Sequence, residues 1–297
     1  MDAKRFQVTA PDGRSLDAAV AGPEDGTPLV FHHGTPGAVI LFEPFIEDAA
    51  TRAFRFITYS RPGYGGSTRH PGRSVADCAT DVSALVDHLG APRFCTIGWS
   101  GGGPHALACA ALLPDRVIAA ATIAGVAPYP AEGLDWMAGM GEENVEEFGA
   151  ALAGPEALGS YLEREAKALA DLRGDDIIEA LGDLVSDVDK AALTGALGEF
   201  LAGNFHEALG EGMWGWFDDD LAFVRNWEFS LSSIRVPATI WQGAHDRMVP
   251  FAHGKWLAAS VPSVRPRLEP DHGHLSLAVG SFGRILDVLI TNGRAEG

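Results

Sequence analysis

The chain has 297 residues, 46% of them hydrophobic, and its 40 acidic and 22 basic residues leave a formal net charge of −18. That length accommodates one large α/β domain with an insertion, or two domains, around a sizeable core, and the acid excess disfavours polyanions such as nucleic acid as partners. Cys78, Cys95 and Cys109, an odd number with no metal-binding spacing, are expected as core thiols rather than as a disulfide framework or metal ligands.

The N-terminal stretch MDAKRFQVTAPDGRSLDAAV contains no apolar run of the kind a signal peptide needs. No segment approaches the roughly 18 consecutive apolar residues of a membrane span. The expectation is a soluble cytoplasmic protein with no membrane partner. Strand-like runs at 6–9 and 16–20 flank Pro11-Asp12-Gly13 and predict a hairpin. Further strand-like runs follow at 29–32, 54–59, 93–97 and 117–123, with helical periodicity at 75–89 and 105–113. Near the C-terminus, 238–241 and 264–268 read as strands and 252–260 and 275–290 as helices. Strands alternating with helices after an initial hairpin predict an α/β fold with a doubly wound, mostly parallel, eight-stranded sheet.

The alternation is interrupted once, after the sixth strand. Residues 126–234 have helical periodicity, as in PEALGSYLEREAKALADL and DDIIEALGDLV, and no convincing strand. They carry 23 acidic and 5 basic residues and hence the whole net charge, because the remainder holds 17 of each sign. A helical lid with solvated outer faces and an apolar inner face accounts for both properties. The expected organisation is a core formed by 1–125 and 235–297 and an acidic lid at 126–234.

In an open α/β sheet, ligands bind beyond the carboxyl ends of the strands. Four polar stretches follow strands directly: HHGTPG at 32–37, GWSGG at 98–102, GAHDRMVP at 243–250 and DHGHLSL at 271–277. Gly98, Gly101 and Gly102 surround Ser100 with little bulk, which suits a sharp strand-to-helix turn. Gly101, Gly103 and Ala106 also satisfy G-x-G-x-x-A, but this is not the first strand-to-helix turn and no acid stands about 20 residues on at a strand end, so no nucleotide cofactor is expected.

A serine at such a turn, followed along the chain by an aspartate and a histidine, is the order found in α/β-hydrolases. The sequence resembles that family over essentially its whole length apart from the lid, including HGTPG at 33–37, SRPGYGGS at 60–67 and VPATIWQGAHDRMVP at 236–250. The resemblance implies Ser100 as nucleophile, His274 as general base and Asp246 as the carboxylate that orients it. A serine hydroxyl is a weak nucleophile and needs a neutral imidazole to take its proton. The family places its histidine directly after a glycine, which favours Gly273-His274 over His272, then expected as an exposed loop residue. The family pattern also implies an oxyanion hole from the backbone amides of Thr35 and Gly101; Pro36 has no amide hydrogen to offer. Asp218, Asp219 and Asp220 read as a solvated run within the lid. His33 and His105 read as structural residues, and Arg61 as an anchor for its loop.

These residues predict a cofactor-free and metal-free serine hydrolase that cleaves a neutral, hydrophobic carboxylic ester or related acyl compound through an acyl-enzyme. Ser100 at the turn disfavours relatives that use an aspartate there, such as epoxide hydrolases and haloalkane dehalogenases. An aminopeptidase resembling proline iminopeptidases is a second reading, because HGTPG approaches their HGGPG and lid carboxylates would hold a substrate ammonium, although GWSGGG departs from their GGSWGG. Carbon–carbon bond hydrolysis and perhydrolysis are open to the same triad. A non-catalytic ligand-binding or partner protein on the same fold is a third reading. The ends of an insertion lie near the strands it leaves and rejoins, so Trp136, Met140, Trp214 and Trp216 are expected to line the pocket for a small-molecule substrate. The sequence leaves the oligomeric state open.

Overall fold

A computed structural model describes residues 3–262 and 264–294. The hairpin is formed by β1 (Lys4–Thr9) and β2 (Ser15–Ala21), and β3 (Thr27–His32) follows. Helix α1 (Glu43–Thr51), β4 (Phe54–Tyr59), α2 (Cys78–His88), β5 (Phe94–Trp99), α3 (Gly102–Leu112) and β6 (Val117–Ile123) come next. Helices α4 (Glu142–Ala153), α5 (Pro155–Ala170), α6 (Ile177–Ala180), α7 (Asp187–Ala192), α8 (Gly195–Leu209) and α9 (Trp214–Phe223) separate β6 from β7 (Ala238–Gly243). The chain ends with α10 (Phe251–Ser260), β8 (Arg265–Glu269) and α11 (His274–Arg294). Among the described residues no strand lies between β6 and β7.

The eight strands form one sheet in the order β1-β2-β4-β3-β5-β6-β7-β8. Only β1–β2 and β2–β4 pair antiparallel. The register sets the carboxyl ends level: His32 opposes Gly98, Trp99 opposes Ile123, and Ile123 opposes Trp241. The loop after β3, the turn after β5 and the loop after β7 therefore emerge along one edge.

β5 and β7 are buried along their whole length, as expected for central parallel strands covered on both faces. One core joins Val30, Ile57, Val82, Leu85, Leu107, Ile240 and Leu257, bringing α2, α3 and α10 onto one face. The other joins Phe31, Phe45, Phe56, Trp241, Phe282, Ile285 and Leu289, with α1 and α11 on the opposite face. The Phe45 and Phe282 rings stack at 4.1 Å. α11 is long and apolar enough by length and composition to cross a bilayer, but 50% of that stretch is buried and its inner face belongs to this core. Each fully buried side chain there contributes about 2 kcal/mol. A third cluster, with Leu158, Leu162, Leu209, Met213, Trp216 and Leu221, holds the helical insertion together and reaches Ala38 and Tyr64 of the sheet loops.

The expected core thiols are in place, since Cys78, Cys95 and Cys109 are buried and unbridged. The reading of Asp218, Asp219 and Asp220 as a solvated run is corrected: they are 2%, 0% and 0% exposed. The insertion holds few cations of its own, and the missing counter-charges come from the sheet loops. Asp218 meets Arg69, Asp219 meets Arg61 and Arg73, and Asp220 faces a second carboxyl group, Glu147.

Candidate active site

The turn after β5 is built around missing side chains. A Cβ at Gly98 would overlap the carbonyl of Gly102, and one at Gly102 would overlap the carbonyls of His32 and His33. Strand, helix and neighbouring loop thus approach at backbone distance, and the residue between them, Ser100, takes the left-handed conformation with φ +56. That conformation is costly for a residue with a Cβ. It is held by the Ser100 amide donating to Ile123 O at 2.8 Å and by the Ser100 carbonyl accepting from the Gly103 amide at 2.8 Å. Ser100 stands at the N-terminus of α3, where the helix dipole favours negative charge.

Asp246 follows β7 and is 4% exposed. Its Oδ1 accepts from the amides of Met248 and Val249 at 2.9 and 2.8 Å. Its Oδ2 accepts from Gln242 Nε2 and from His274 Nδ1, both at 2.9 Å. With Nδ1 of His274 as donor, Nε2 is the basic nitrogen. Burial pushes the Asp246 carboxyl upward from 3.8, and the pull of His274 and of the Val249 amide offsets only part of this. Burial pulls the His274 imidazole down, but Asp246 beside it, with Asp189 adding to the effect, raises it overall from 6.5.

Ser100, His274, Thr35 and Gly101 line one cavity. A Cβ on Gly34 would stand 3.4 Å from Ser100 Cβ, and one on Gly101 would overlap the Thr35 side chain, so the loop after β3 lies directly over the turn. Neither the Thr35 nor the Gly101 amide donates to a backbone acceptor in the loops and turns of the described residues. Two free amides beside a serine at a helix N-terminus can stabilise an oxyanion.

The loop carrying Thr35 is tied to the insertion. Arg61, 1% exposed, donates through Nη1 to His33 O at 2.6 Å and through Nη2 to Gly34 O at 2.8 Å. Arg61 Nη2 and Arg73 Nη1 each reach Asp219 at 2.6 Å, and Tyr64 Oη donates to Asp219 at 2.9 Å. Burial acts to raise the Asp219 carboxyl, but the Arg61 and Arg73 guanidinium groups outweigh it and hold it well below 3.8. Burial and the charge of Arg61 keep His33 and His105 neutral. His33 donates through Nδ1 to Gly34 O at 2.7 Å and accepts the Arg61 amide at 3.0 Å. His105 donates through Nδ1 to Gly101 O at 2.9 Å.

Of the aromatic and methionine residues expected at the pocket, Met140 and Trp216 line the cavity. Trp136 and Trp214 do not, and those expectations are corrected. Trp136 packs against Phe148 and His253, with its Nε1 donating to Ala127 O at 2.8 Å. Trp214 is 44% exposed beneath the Arg69 guanidinium. Residues two apart on a helix project about 200° apart, so Trp214 and Trp216 cannot face one cavity. His272 is half-buried rather than exposed and takes no part in the cavity lining.

Sequence reasoning missed most of the cavity wall. Phe148, Phe200, Phe205 and Phe223 make it apolar, while Glu143, Glu147 and Glu165 add carboxyl groups and no Lys or Arg is present among the described lining residues. Glu147 accepts from Trp216 Nε1 at 2.8 Å, and burial raises its carboxyl to about 7. Arg61 was the one signal that could have led to Asp219, because a buried guanidinium requires a carboxylate.

A model of the alpha/beta hydrolase fold matches residues 27–281. The chain is similar to a non-heme chloroperoxidase of Streptomyces lividans, 29% identical over 82% of this chain and 83% of that protein. It is also similar to a pimeloyl-[acyl-carrier protein] methyl ester esterase of Chromobacterium violaceum, 28% identical over 80% of this chain and 83% of that protein. An esterase structure from Exiguobacterium antarcticum superposes with a TM-score of 0.69 at 18% identity, covering 98% of this chain and all (100%) of that one.

Proposed function

We propose that this chain, which belongs to the alpha/beta hydrolase fold family, is a serine-dependent carboxylic ester hydrolase working through an acyl-enzyme. The observation that carries the reading is the placement of Ser100, on its left-handed turn, in the same cavity as His274, whose Nδ1 is held by the buried Asp246. Ser100 Oγ attacks the ester carbonyl as His274 Nε2 takes its proton. The carbonyl oxygen becomes an oxyanion facing the amides of Thr35 and Gly101. His274 returns the proton to the departing alkoxide, the alcohol leaves, and Ser100 carries the acyl group as an ester. A water molecule, deprotonated by the same imidazole, attacks the acyl carbon; the bond to Ser100 Oγ breaks, His274 returns the proton to Oγ, and the acid leaves.

The apolar wall, with Phe148, Phe200, Phe205, Phe223, Met140 and Trp216, suits a neutral, moderately hydrophobic substrate. The helices between β6 and β7 supply most of that wall and act as the lid. A cytoplasmic setting accords with the three unbridged thiols. A panel of esters, amino-acid amides and peracid-forming assays tests the reading, with Ser100→Ala as control and mass spectrometry to locate a fluorophosphonate adduct. Ester turnover with the adduct on Ser100 supports it. Full turnover by Ser100→Ala, or an adduct on another serine, overturns it.

One observation favours a second reading. Glu143, Glu147 and Glu165 provide acceptors for an ammonium group inside the cavity. An aminopeptidase would use Ser100 in the same way while these carboxylates hold the substrate's amine. Preference for amino-acid amides over matched esters in the same panel would select it.

A further inference from the structure

The base proposed above stands at the first residue of α11, whose N-terminus is capped in an unusual way. A helix exposes its first amides and needs acceptors for them, which a Ser, Thr, Asp or Asn immediately before the helix ordinarily supplies. Here that position is Gly273, which has no side chain. Half of a capping box is nevertheless present, because the Gly273 amide donates to Ser276 Oγ at 2.8 Å. The acceptor for the helix amides comes from elsewhere. Asp189, in α7 of the insertion, accepts from the amides of His274, Leu275 and Ser276 at 2.9, 2.9 and 2.8 Å.

The carboxylate is 0% exposed and also accepts from the hydroxyls of Ser276 and Ser186 at 2.8 and 3.0 Å. Among the described residues no basic side chain forms an ion pair with it, so these five donors and the α11 dipole hold its charge. The arrangement also explains the glycine: a Cβ at Gly273 would overlap the Asp189 carboxylate. A local cap and the remote one exclude each other.

We propose that Asp189 is a positioning residue for His274, through which the helical insertion holds the base in register with Asp246 and Ser100. A local cap would stabilise α11 equally well without involving the insertion. The remote one fixes the His274 backbone amide itself, so a displacement of α7 is transmitted to the imidazole within one residue. Asp189 also places a buried negative charge near that imidazole and favours its protonated form. The other charged groups packed around α11 are Asp246, from the loop after β7, and, farther along the helix, Asp48 of α1 and Arg52 just after it, with Arg52 paired to Asp287 at 2.7 Å, and Arg265 and Glu269 of β8, which bond Asn292 at 3.0 Å and Arg284 at 2.6 Å.

The inference rests on the hydrolase reading, and the test keeps the two apart. His274 is titrated by NMR without substrate in the wild type, Asp189→Asn and Ser186→Ala, the last removing only one of the donors that hold Asp189. Kinetic pH profiles and thermal unfolding are recorded alongside. Asp189→Asn removes the charge and turns an amide donor toward the helix amides. Its His274 titration should fall by about 0.5 to 1 pH unit, and the acid limb of kcat/KM should move with it. kcat should drop on the order of tenfold or more with KM nearly unchanged, as expected for a misplaced catalytic group. Ser186→Ala keeps the charge, so its His274 titration should stay near the wild-type value while kcat falls in smaller measure with KM nearly unchanged, and its kcat decides the matter if Asp189→Asn does not fold. Loss of stability with an unmoved titration and unchanged kcat, in whichever of the two variants folds, overturns the positioning role. A wild type with no Ser100-dependent turnover overturns the hydrolase reading alone.

Discussion

The Thr35 hydroxyl donates a 2.9 Å hydrogen bond to Oδ2 of Asp219, joining the loop that carries a proposed oxyanion donor to helix α9 of the insertion. Arg61 stands between them and bonds both, at 3.0 Å to Thr35 Oγ1 and 2.6 Å to Asp219. The backbone of the loop is thus located by a buried charge cluster and not by its own short turn. Asp219→Ala leaves Arg61 and Arg73 buried without their carboxylate and should cost about 3–5 kcal/mol of stability in urea unfolding. Because the Asp219 pKa is depressed on folding, its contribution is present above 3.8 and is lost only as pH falls through the much lower folded value. The milder Asp219→Asn variant should therefore differ most from wild type near neutrality and converge with it in strong acid. Equal stability of Asp219→Asn and wild type at neutral pH would remove the cluster from the account of the loop.

A second prediction follows from the His274–Asp246 pair. Only neutral imidazole accepts the serine proton, so activity should fall on acidification, with the midpoint above the ordinary imidazole value of 6.5 because His274 is raised. Asp246→Asn removes the charge that supports imidazolium and leaves the ring free to adopt the wrong tautomer. Turnover should drop by about 10⁴, and the residual activity should titrate at lower pH. His274→Ala should lose nearly all turnover while His272→Ala keeps most of it. The reverse pattern would transfer the role to His272.

Glu147 gives a third. Burial raises its carboxyl from 4.5 to about 7 beside the equally buried Asp220. A group raised on folding contributes stability that is complete below its unfolded value and disappears as pH rises through its folded one. The midpoint of thermal unfolding should therefore decline between about pH 5 and about pH 8.5. Glu147→Gln, which keeps an acceptor for Trp216 Nε1, should flatten that decline and raise the midpoint mainly at the alkaline end. An identical pH dependence in the variant would show that the Glu147–Asp220 pair does not titrate in this range.

The central strands were legible because each is a short run rich in apolar residues and bounded by turn residues, and Ser100, Asp246 and His274 were legible as candidates because each sits in a local motif directly after a strand. What was hidden is defined by partners far along the chain. Asp189 caps a helix 85 positions away and Asp219 pairs with Arg61 at a separation of 158. A carboxylate's neighbours within its own helix say nothing of either contact. Helix α1 was missed for a different reason: only Phe45, Ile46 and Ala49 are buried over its 9 residues, too short a stripe for periodicity to register. At the pocket, proximity of the insertion's ends to the sheet edge was sound, but helix phase decides which side chain turns inward, and phase could not be read without the boundary at Trp214.

That phase sharpens the prediction about substrate. Trp216 is 4% exposed and lines the cavity with its indole fixed by Glu147, whereas Trp214 lies on the outer surface against Arg69. Trp216→Ala should raise KM for moderately hydrophobic esters, and Trp214→Ala should leave it near the wild-type value. Charge should discriminate in the same cavity. Glu143, Glu147 and Glu165 face it, the described lining contains no Lys or Arg, and the surrounding insertion carries the chain's entire acid excess. An ester bearing a free carboxylate meets repulsion as it approaches and again as it loses its water inside, so a matched neutral ester should have the higher kcat/KM. The approach component is screened over about 10 Å at 0.1 M salt, so part of the difference should shrink as salt is added and the part set by the carboxyl groups lining the cavity should persist. Glu143→Gln and Glu165→Gln should narrow the persistent part without affecting the neutral ester. A preference for the carboxylate-bearing ester at low ionic strength would overturn the charge argument while leaving the proposed roles of Ser100, His274 and Asp246 intact.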